Sequence, residues 1–129
     1  MKWLFRTFFK TLRLVLGPIL LLRERLTAPE GVERSADAQK EVDRQCRDLA
    51  LYQFKTCPFC IKVRQEMRRL SLPIEQRDAQ HDAANKAALL AGGGKSSVPC
   101  LRIREGDGKV RWMYESGDIV NYLRQRFPA

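Results

Sequence analysis

The strongest constraint on the fold of this chain is Cys57-Pro58-Phe59-Cys60, which stands where a strand pattern gives way to a helical one. Residues 49–54, Leu-Ala-Leu-Tyr-Gln-Phe, form a short apolar run with strand character. Residues 58–70 then place Ile61, Val63, Met67 and Leu70 at helical spacing. Pro58 suits the first helical turn, where its missing N–H is no loss. Cys57 therefore falls at a helix N-terminus. Unpaired N–H groups and the positive dipole end favour a thiolate there, and the thiolate is the attacking species in disulfide exchange. Lys55 adds positive charge two residues upstream. Cys60 follows one turn later, within reach of a mixed disulfide on Cys57. The pattern assigns Cys57 as nucleophile and Cys60 as resolving thiol. The bland readings of the same pair are two buried structural cysteines or half a metal site.

Strand and helix signals alternate through the rest of the chain. Residues 73–77 read as a second strand, and 81–90 as a helix ended by Gly92-Gly93-Gly94. Residues 98–104 and 109–114 read as a hairpin around Gly106-Asp107-Gly108. A last helix covers 117–127, with Ser116 as its expected N-cap. The order β-α-β-α-β-β-α predicts an α/β fold, a mixed four-stranded sheet with helices on its faces, over residues 48–129. Ser97-Val98-Pro99 opens the third strand. A cis peptide before Pro99 would bring backbone groups close to the reactive sulfur, whereas the bland reading is an ordinary strand-start proline.

Ahead of this unit lies an N-terminal helical extension. Residues 1–26 carry six basic side chains against one acidic, a large share of the net charge of +9. Lys2, Arg6, Lys10 and Arg13 fall on one helical face beside Trp3, Leu4, Phe5, Phe8, Phe9, Leu12 and Leu16. The pairing of charge with exposed apolar residues favours a membrane surface over nucleic acid as partner. The uninterrupted apolar run, residues 14–22, contains Gly17 and Pro18 and is shorter than a bilayer span. A tilted span, a cleaved signal and a helix packed on the domain's own core are the rival readings. Residues 27–34, with Pro29 and Gly31, read as a linker, and 35–47 as a charged surface helix capped by Ser35 and anchored by Val42 and Cys46. On this reading the redox domain is independent of residues 1–34, so a fragment starting at Ser35 is expected to be soluble and redox-active.

The cysteines are Cys46, Cys57, Cys60 and Cys100, with His81 the sole histidine. That set is too sparse for a disulfide-stapled secreted domain and lacks zinc-ligand spacing, so no metal is expected. It suits a reducing compartment, with the redox domain on the cytoplasmic face of a membrane. Cys100, beside Pro99, reads as a buried strand residue, with a third redox thiol or cluster ligand as the other readings.

Residues 51–60, Leu-Tyr-Gln-Phe-Lys-Thr-Cys-Pro-Phe-Cys, with Lys62-Val63-Arg64, resemble the opening of glutaredoxin-like domains. They are especially similar to those of the membrane-associated prostaglandin E synthase family and to the N-terminal domains of glutathione transferases. Ser97-Val98-Pro99 resembles the family's Thr/Ser-Val-Pro. Glu115-Ser116 with Ile119, Tyr122 and Leu123 resembles the transferase pattern Glu-Ser-x-x-Ile-x-x-Tyr-Leu. The resemblance covers about residues 49–127 and implies a thioredoxin-like fold with glutathione as co-substrate. By position it implies a mixed disulfide on Cys57, with Phe59 keeping the ring of the usual tyrosine. It places Lys55 on the glycine carboxylate, Val98 and Pro99 against the cysteinyl part, and Glu115 and Ser116 on the γ-glutamyl end. Lys55 stands two positions before the first cysteine, where many glutaredoxins use three. No transferase helical domain follows, so a redox module is expected rather than a whole transferase.

The leading expectation is a membrane-associated, glutathione-dependent thiol–disulfide oxidoreductase that transfers electrons to disulfide-containing proteins or glutathione mixed disulfides. The alternatives are a non-catalytic glutathione-binding or protein-interaction module of the same fold, and a dithiol reductant served by thioredoxin reductase.

Overall fold

A computed structural model describes residues 2–128. Met1 and Ala129, the outer ends of the expected N-terminal segment and redox domain, lie outside the described residues, as do the side chains of Lys2 and Arg13 on the expected basic face. In chain order the elements are α1 (Lys2–Leu26), α2 (Ala36–Cys46), β1 (Leu49–Gln53), α3 (Pro58–Arg69), β2 (Glu75–Asp78), α4 (Ala83–Gly93), β3 (Cys100–Arg104), β4 (Val110–Tyr114) and α5 (Ser116–Arg126).

The sheet runs β2-β1-β3-β4. β1 pairs parallel with β2 across the α3 crossover, with Leu51 opposite Gln76. β3 is antiparallel to both of its neighbours, with Leu101 opposite Leu51 on one side and Met113 on the other. β1 is central and buried at every position, which is why it reads as an unbroken apolar run. β2 is an edge strand, Glu-Gln-Arg-Asp, whose charges discourage further pairing.

Alternation along the strands divides the core between the two faces of the sheet. Leu49, Leu51, Leu101 and Ile103 pack with Val63 and Met67 of α3, with Leu70 at its C-cap, and with Ile119, Val120 and Leu123 of α5. Ala50, Tyr52 and Cys100 turn to the other face, where they meet Leu89 of α4, with Trp112 and Tyr114 packed alongside. The α4 C-terminus comes so close to β4 that a Cβ on Gly92 would strike the Trp112 ring, and one on Gly93 the Tyr114 hydroxyl. Gly94 closes the helix at φ 82°, a conformation that glycine adopts without a Cβ penalty.

Two element ends differ from expectation for local reasons. α4 begins at Ala83, two residues later than expected, because Asp82 caps it with a carboxylate that accepts the Asn85 N–H at 3.0 Å. β2 begins two residues later than expected, past Pro73, which has no N–H to give.

The N-terminal segment has two parts. From Trp3 to Leu16 the apolar side chains of α1 are exposed, with Trp3 at 67% and Leu14 at 73%. From Gly17 onward a narrow stripe of Gly17, Leu20, Leu21 and Glu24 is covered by the domain. Glu24 forms a buried ion pair with Arg64 of α3 at 2.9 Å. The segment after α1 is extended and also tied down. Val32 N–H donates to Arg69 O, Ser71 Oγ donates to Val32 O, and Arg34 donates to Leu70 O. The contacts therefore differ from the expected independence of residues 1–34. Removing them would leave Arg64 charged, buried and without its carboxylate, a change that typically costs about 3–5 kcal/mol. Among the described residues no helix is long and apolar enough to cross a membrane.

Candidate dithiol site

β1 ends at Gln53, and four residues carry the chain to α3. Cys57 is the N-cap of that helix, in extended backbone geometry, with Pro58 in the first turn as expected. Its carbonyl accepts the Ile61 N–H at 2.9 Å, and its N–H donates to Phe54 O at 3.3 Å. Cys57 is half-buried, whereas Cys60, one turn in, has no solvent exposure. The Phe54 N–H points at the Cys60 sulfur, 3.5 Å away. One residue, Phe54, therefore touches both ends of the motif, through its carbonyl and its N–H. Burial pushes the Cys60 thiol up to about 12, partly opposed by the Phe54 N–H and the Arg64 charge. Burial likewise raises Cys46 and Cys100 to about 11. Cys100 is a fully buried strand residue.

Beside the motif lies a cleft of about 170 Å³ lined by Phe59, Lys95, Ser97, Val98, Pro99, Tyr114, Glu115 and Ser116. The Val98–Pro99 peptide is cis. Five of the six residues assigned to glutathione by resemblance meet here: Phe59, Val98, Pro99, Glu115 and Ser116. Lys55 does not join them. It lines a different cavity, of about 760 Å³, between the C-terminal part of α1, α2 and the β1–α3 side of the sheet. Lys55 stands with Thr56 in the turn that carries the chain from β1 to Cys57, closed by the Cys57 N–H on Phe54 O.

Ser116 is also not the N-cap. Glu115 holds that place, at φ 72°, and its side chain makes no capping bond. A non-glycine residue at positive φ is strained by roughly 1–3 kcal/mol, and such strain gathers at functional sites. Here it lets β4 turn into α5 through Glu115 alone. The N-terminus of α5 faces the cleft without a side-chain cap.

Sequence reading missed Lys95 and Tyr114. The Lys95 ammonium lies 5.5 Å from the Tyr114 ring centroid, and the Tyr114 hydroxyl donates to Lys95 O at 2.8 Å. The available signal was a lone cation three residues before Val98, just after the glycine turn. Among the described residues no group of three or more His, Cys, Asp or Glu side chains is gathered as a metal site would require.

Residues 51–129 match the family described as Glutathione S-transferase, N-terminal domain. The chain belongs to that family. Among solved structures, glutathione transferase Omega 3C from Trametes versicolor is 22% identical with a TM-score of 0.52, over 75% of this chain and 42% of that one. That likeness carries the thioredoxin-like fold. Maleylacetoacetate isomerase from Anaeromyxobacter dehalogenans 2CP-1, with dicarboxyethyl glutathione and citrate in its active site, is 27% identical over 62% of this chain, with a TM-score of 0.47. The present chain spans 37% of the length of that isomerase. Oxidized glutaredoxin 2 from Chlamydomonas reinhardtii is 21% identical over 71% of this chain and 87% of its own, with a TM-score of 0.47. No curated protein matches the sequence.

The contrast in burial among the cysteines sets an expectation for native alkylation. Iodoacetamide at about pH 8 should add one group per chain, on the peptide containing Cys57, because the buried, raised thiols stay protonated. Peptide mass mapping reads the position, and rapid labelling of Cys46, Cys60 or Cys100 in the folded protein would contradict it.

Proposed function

We propose that the protein is a glutathione-dependent thiol–disulfide oxidoreductase. The observation that carries this reading is an accessible Cys57 at the N-terminus of α3, with a fully buried Cys60 one turn behind it. Membership of a glutathione transferase N-terminal family supports glutathione as co-substrate.

In the proposed reaction the Cys57 thiolate attacks one sulfur of the substrate disulfide. A new S–S bond forms to Cys57, the substrate bond breaks, and the departing thiolate takes a proton from solvent. With a glutathione mixed disulfide as substrate, Cys57 takes the glutathione. A second glutathione thiolate then attacks that glutathione sulfur, which releases glutathione disulfide and restores Cys57. With a protein disulfide, Cys60 loses its proton to solvent and attacks the Cys57 sulfur. The second substrate thiol leaves, and two glutathiones reduce the resulting Cys57–Cys60 disulfide.

The cleft has a group for each end of glutathione. The uncapped N-terminus of α5 at Ser116 suits the γ-glutamyl carboxylate, and the Glu115 carboxylate suits its ammonium. The Val98 backbone beside Pro99 suits the cysteinyl segment, in the manner of an added strand. Lys95, rather than Lys55, is the cation of this cleft and suits the glycine carboxylate. In a glutathione-coupled assay Cys57→Ser should lose all activity, while Cys60→Ser should lose protein-disulfide reduction and keep glutathione mixed-disulfide reduction. Lys95→Ala and Glu115→Ala should each raise the glutathione KM about tenfold, the size of one lost charge-assisted hydrogen bond. An unchanged KM in both, or turnover supported only by thioredoxin reductase, would overturn the glutathione reading.

The proposal extends to location. The exposed Trp3–Leu16 part of α1 sets Trp3, Phe5, Phe8 and Phe9 beside Arg6 and Lys10. Such a surface suits the headgroup boundary of an anionic bilayer, with the redox domain on the reducing, cytoplasmic side. Full-length protein should sediment with phosphatidylcholine–phosphatidylserine vesicles at low salt. Each basic residue near such a surface is worth about 1 kcal/mol, so Arg6→Glu with Lys10→Glu should weaken binding at least about tenfold. Wild-type protein that stays in the supernatant would contradict the assignment.

A further inference from the structure

Arg64 is an arginine on the buried face of a helix, a position that demands complete pairing. It has it. Its Nε and Nη2 donate to the two Glu24 carboxylate oxygens, each at 2.9 Å. Nη1 donates to Gln53 Oε1 at 2.7 Å and, more weakly, to Phe54 O at 3.4 Å. The second Nη2 proton goes to Lys55 O at 2.7 Å. All five guanidinium N–H groups are used, an arrangement a lysine could not reproduce.

Three of those five bonds hold residues 53–55, the segment that leads into Cys57. The Phe54 carbonyl that Arg64 holds also accepts the Cys57 N–H, and the Phe54 N–H points at the Cys60 sulfur. The orientation of Arg64 is in turn fixed by Glu24, which belongs to α1. The same stretch of α1 touches the motif directly, since Gly17 lies against Thr56 and Leu20 lines a small cavity with Pro58 and Ile61.

We propose that Glu24 and Arg64 are positioning residues of the dithiol centre, which hold residues 53–55 so that the Phe54 N–H is aimed at Cys60, and so make α1 part of the machinery of the resolving step. Cys60 sits in an apolar surround, and the attacking thiolate it must form has two nearby stabilising groups, the Phe54 N–H and the Arg64 charge. Cys57, by contrast, takes its environment from the α3 N-terminus. Loss of the Glu24–Arg64 clamp therefore acts mainly on the second thiol, since the first keeps its place at the helix end. The inference rests on the dithiol reading above, and it assigns α1 a role inside the reaction besides attachment to a surface.

A symmetric aromatic disulfide whose released thiolate absorbs light separates the two steps without glutathione or a protein substrate. Cys57 attacks it and releases one aromatic thiolate. Cys60 then gives its proton to solvent, attacks the Cys57 mixed disulfide and releases a second, leaving the Cys57–Cys60 disulfide. The full-length protein is mixed with this reagent in a stopped-flow instrument, and Cys60→Ser marks which phase is the second release. In Arg64→Met the second release should slow about tenfold while the first changes less than about twofold, since one charge and one aimed donor are lost from Cys60 alone. Glu24→Gln keeps the size and one acceptor, so it serves as the milder variant should Arg64→Met fail to fold. It should slow the second release about threefold, as the fork loses one of its anchors. An unchanged second release, or equal slowing of both phases, would overturn the positioning role. A wild-type protein that gives no second release would instead refute the dithiol reading itself.

Discussion

The Arg64 guanidinium connects a helix 40 positions upstream with the end of β1 and the loop that follows it. It joins α1 through Glu24, the end of β1 through Gln53, and the reactive loop through the carbonyls of Phe54 and Lys55. A charge this deeply buried is tolerated only when every donor has a partner. The requirement acts in both directions: the helix that supplies Glu24 is held to the domain, and the loop before Cys57 is held in one conformation. With the loop fixed, Cys57 can cap α3 and Cys60 can turn inward beneath it.

Around that loop the thioredoxin-like sheet supplies the remaining walls. α3 and α5 cover one face and α4 the other, and the cleft opens where β3 begins and β4 ends, beside the first residues of α3 and α5. The glycine pair at the end of α4 brings that helix against Trp112 and Tyr114, which sets Lys95 over the Tyr114 ring. On the opposite wall, Glu66 of α3 pairs with Arg69 of its own helix at 2.6 Å and with Arg124 of α5 at 3.0 Å, and the second pair ties the two helices together. These bonds hold the Glu66 carboxyl below the usual range, with the Arg69 bond the largest cause. The support they give is present at neutral pH and is lost as acid protonates the carboxylate. The two thiols differ for the same architectural reason, since one stands at a helix end beside solvent and the other inside the core.

Much of this was legible in the sequence because it is local. A strand pattern, a cysteine pair and a helical pattern in that order fix the motif, and Ser97-Val98-Pro99 marks the facing edge. The β-α-β-α-β-β-α order followed from periodicity and turn residues alone. What was not legible depends on contacts across the chain. Ser116 has the right chemistry for a cap, but β4 ends so close to α5 that Glu115 takes the place at positive φ. Lys55 and Lys95 are both cations near a motif, and only the fold shows which one faces the cleft. Glu24 sat in a segment dominated by basic and apolar residues, and its partner lies 40 positions away. An arginine on the inner face of α3 was the one local sign that a carboxylate had to come from elsewhere.

The central claim is that Cys57 exchanges disulfides with glutathione in this cleft. It is tested most directly by incubating full-length Cys60→Ser protein with glutathione disulfide and measuring its intact mass and peptide map. Without the resolving thiol the mixed disulfide should accumulate, giving one glutathione per chain on the peptide that contains Cys57, and Cys57→Ser should abolish it. A protein that forms no adduct, or carries it on Cys46 or Cys100, would contradict the account.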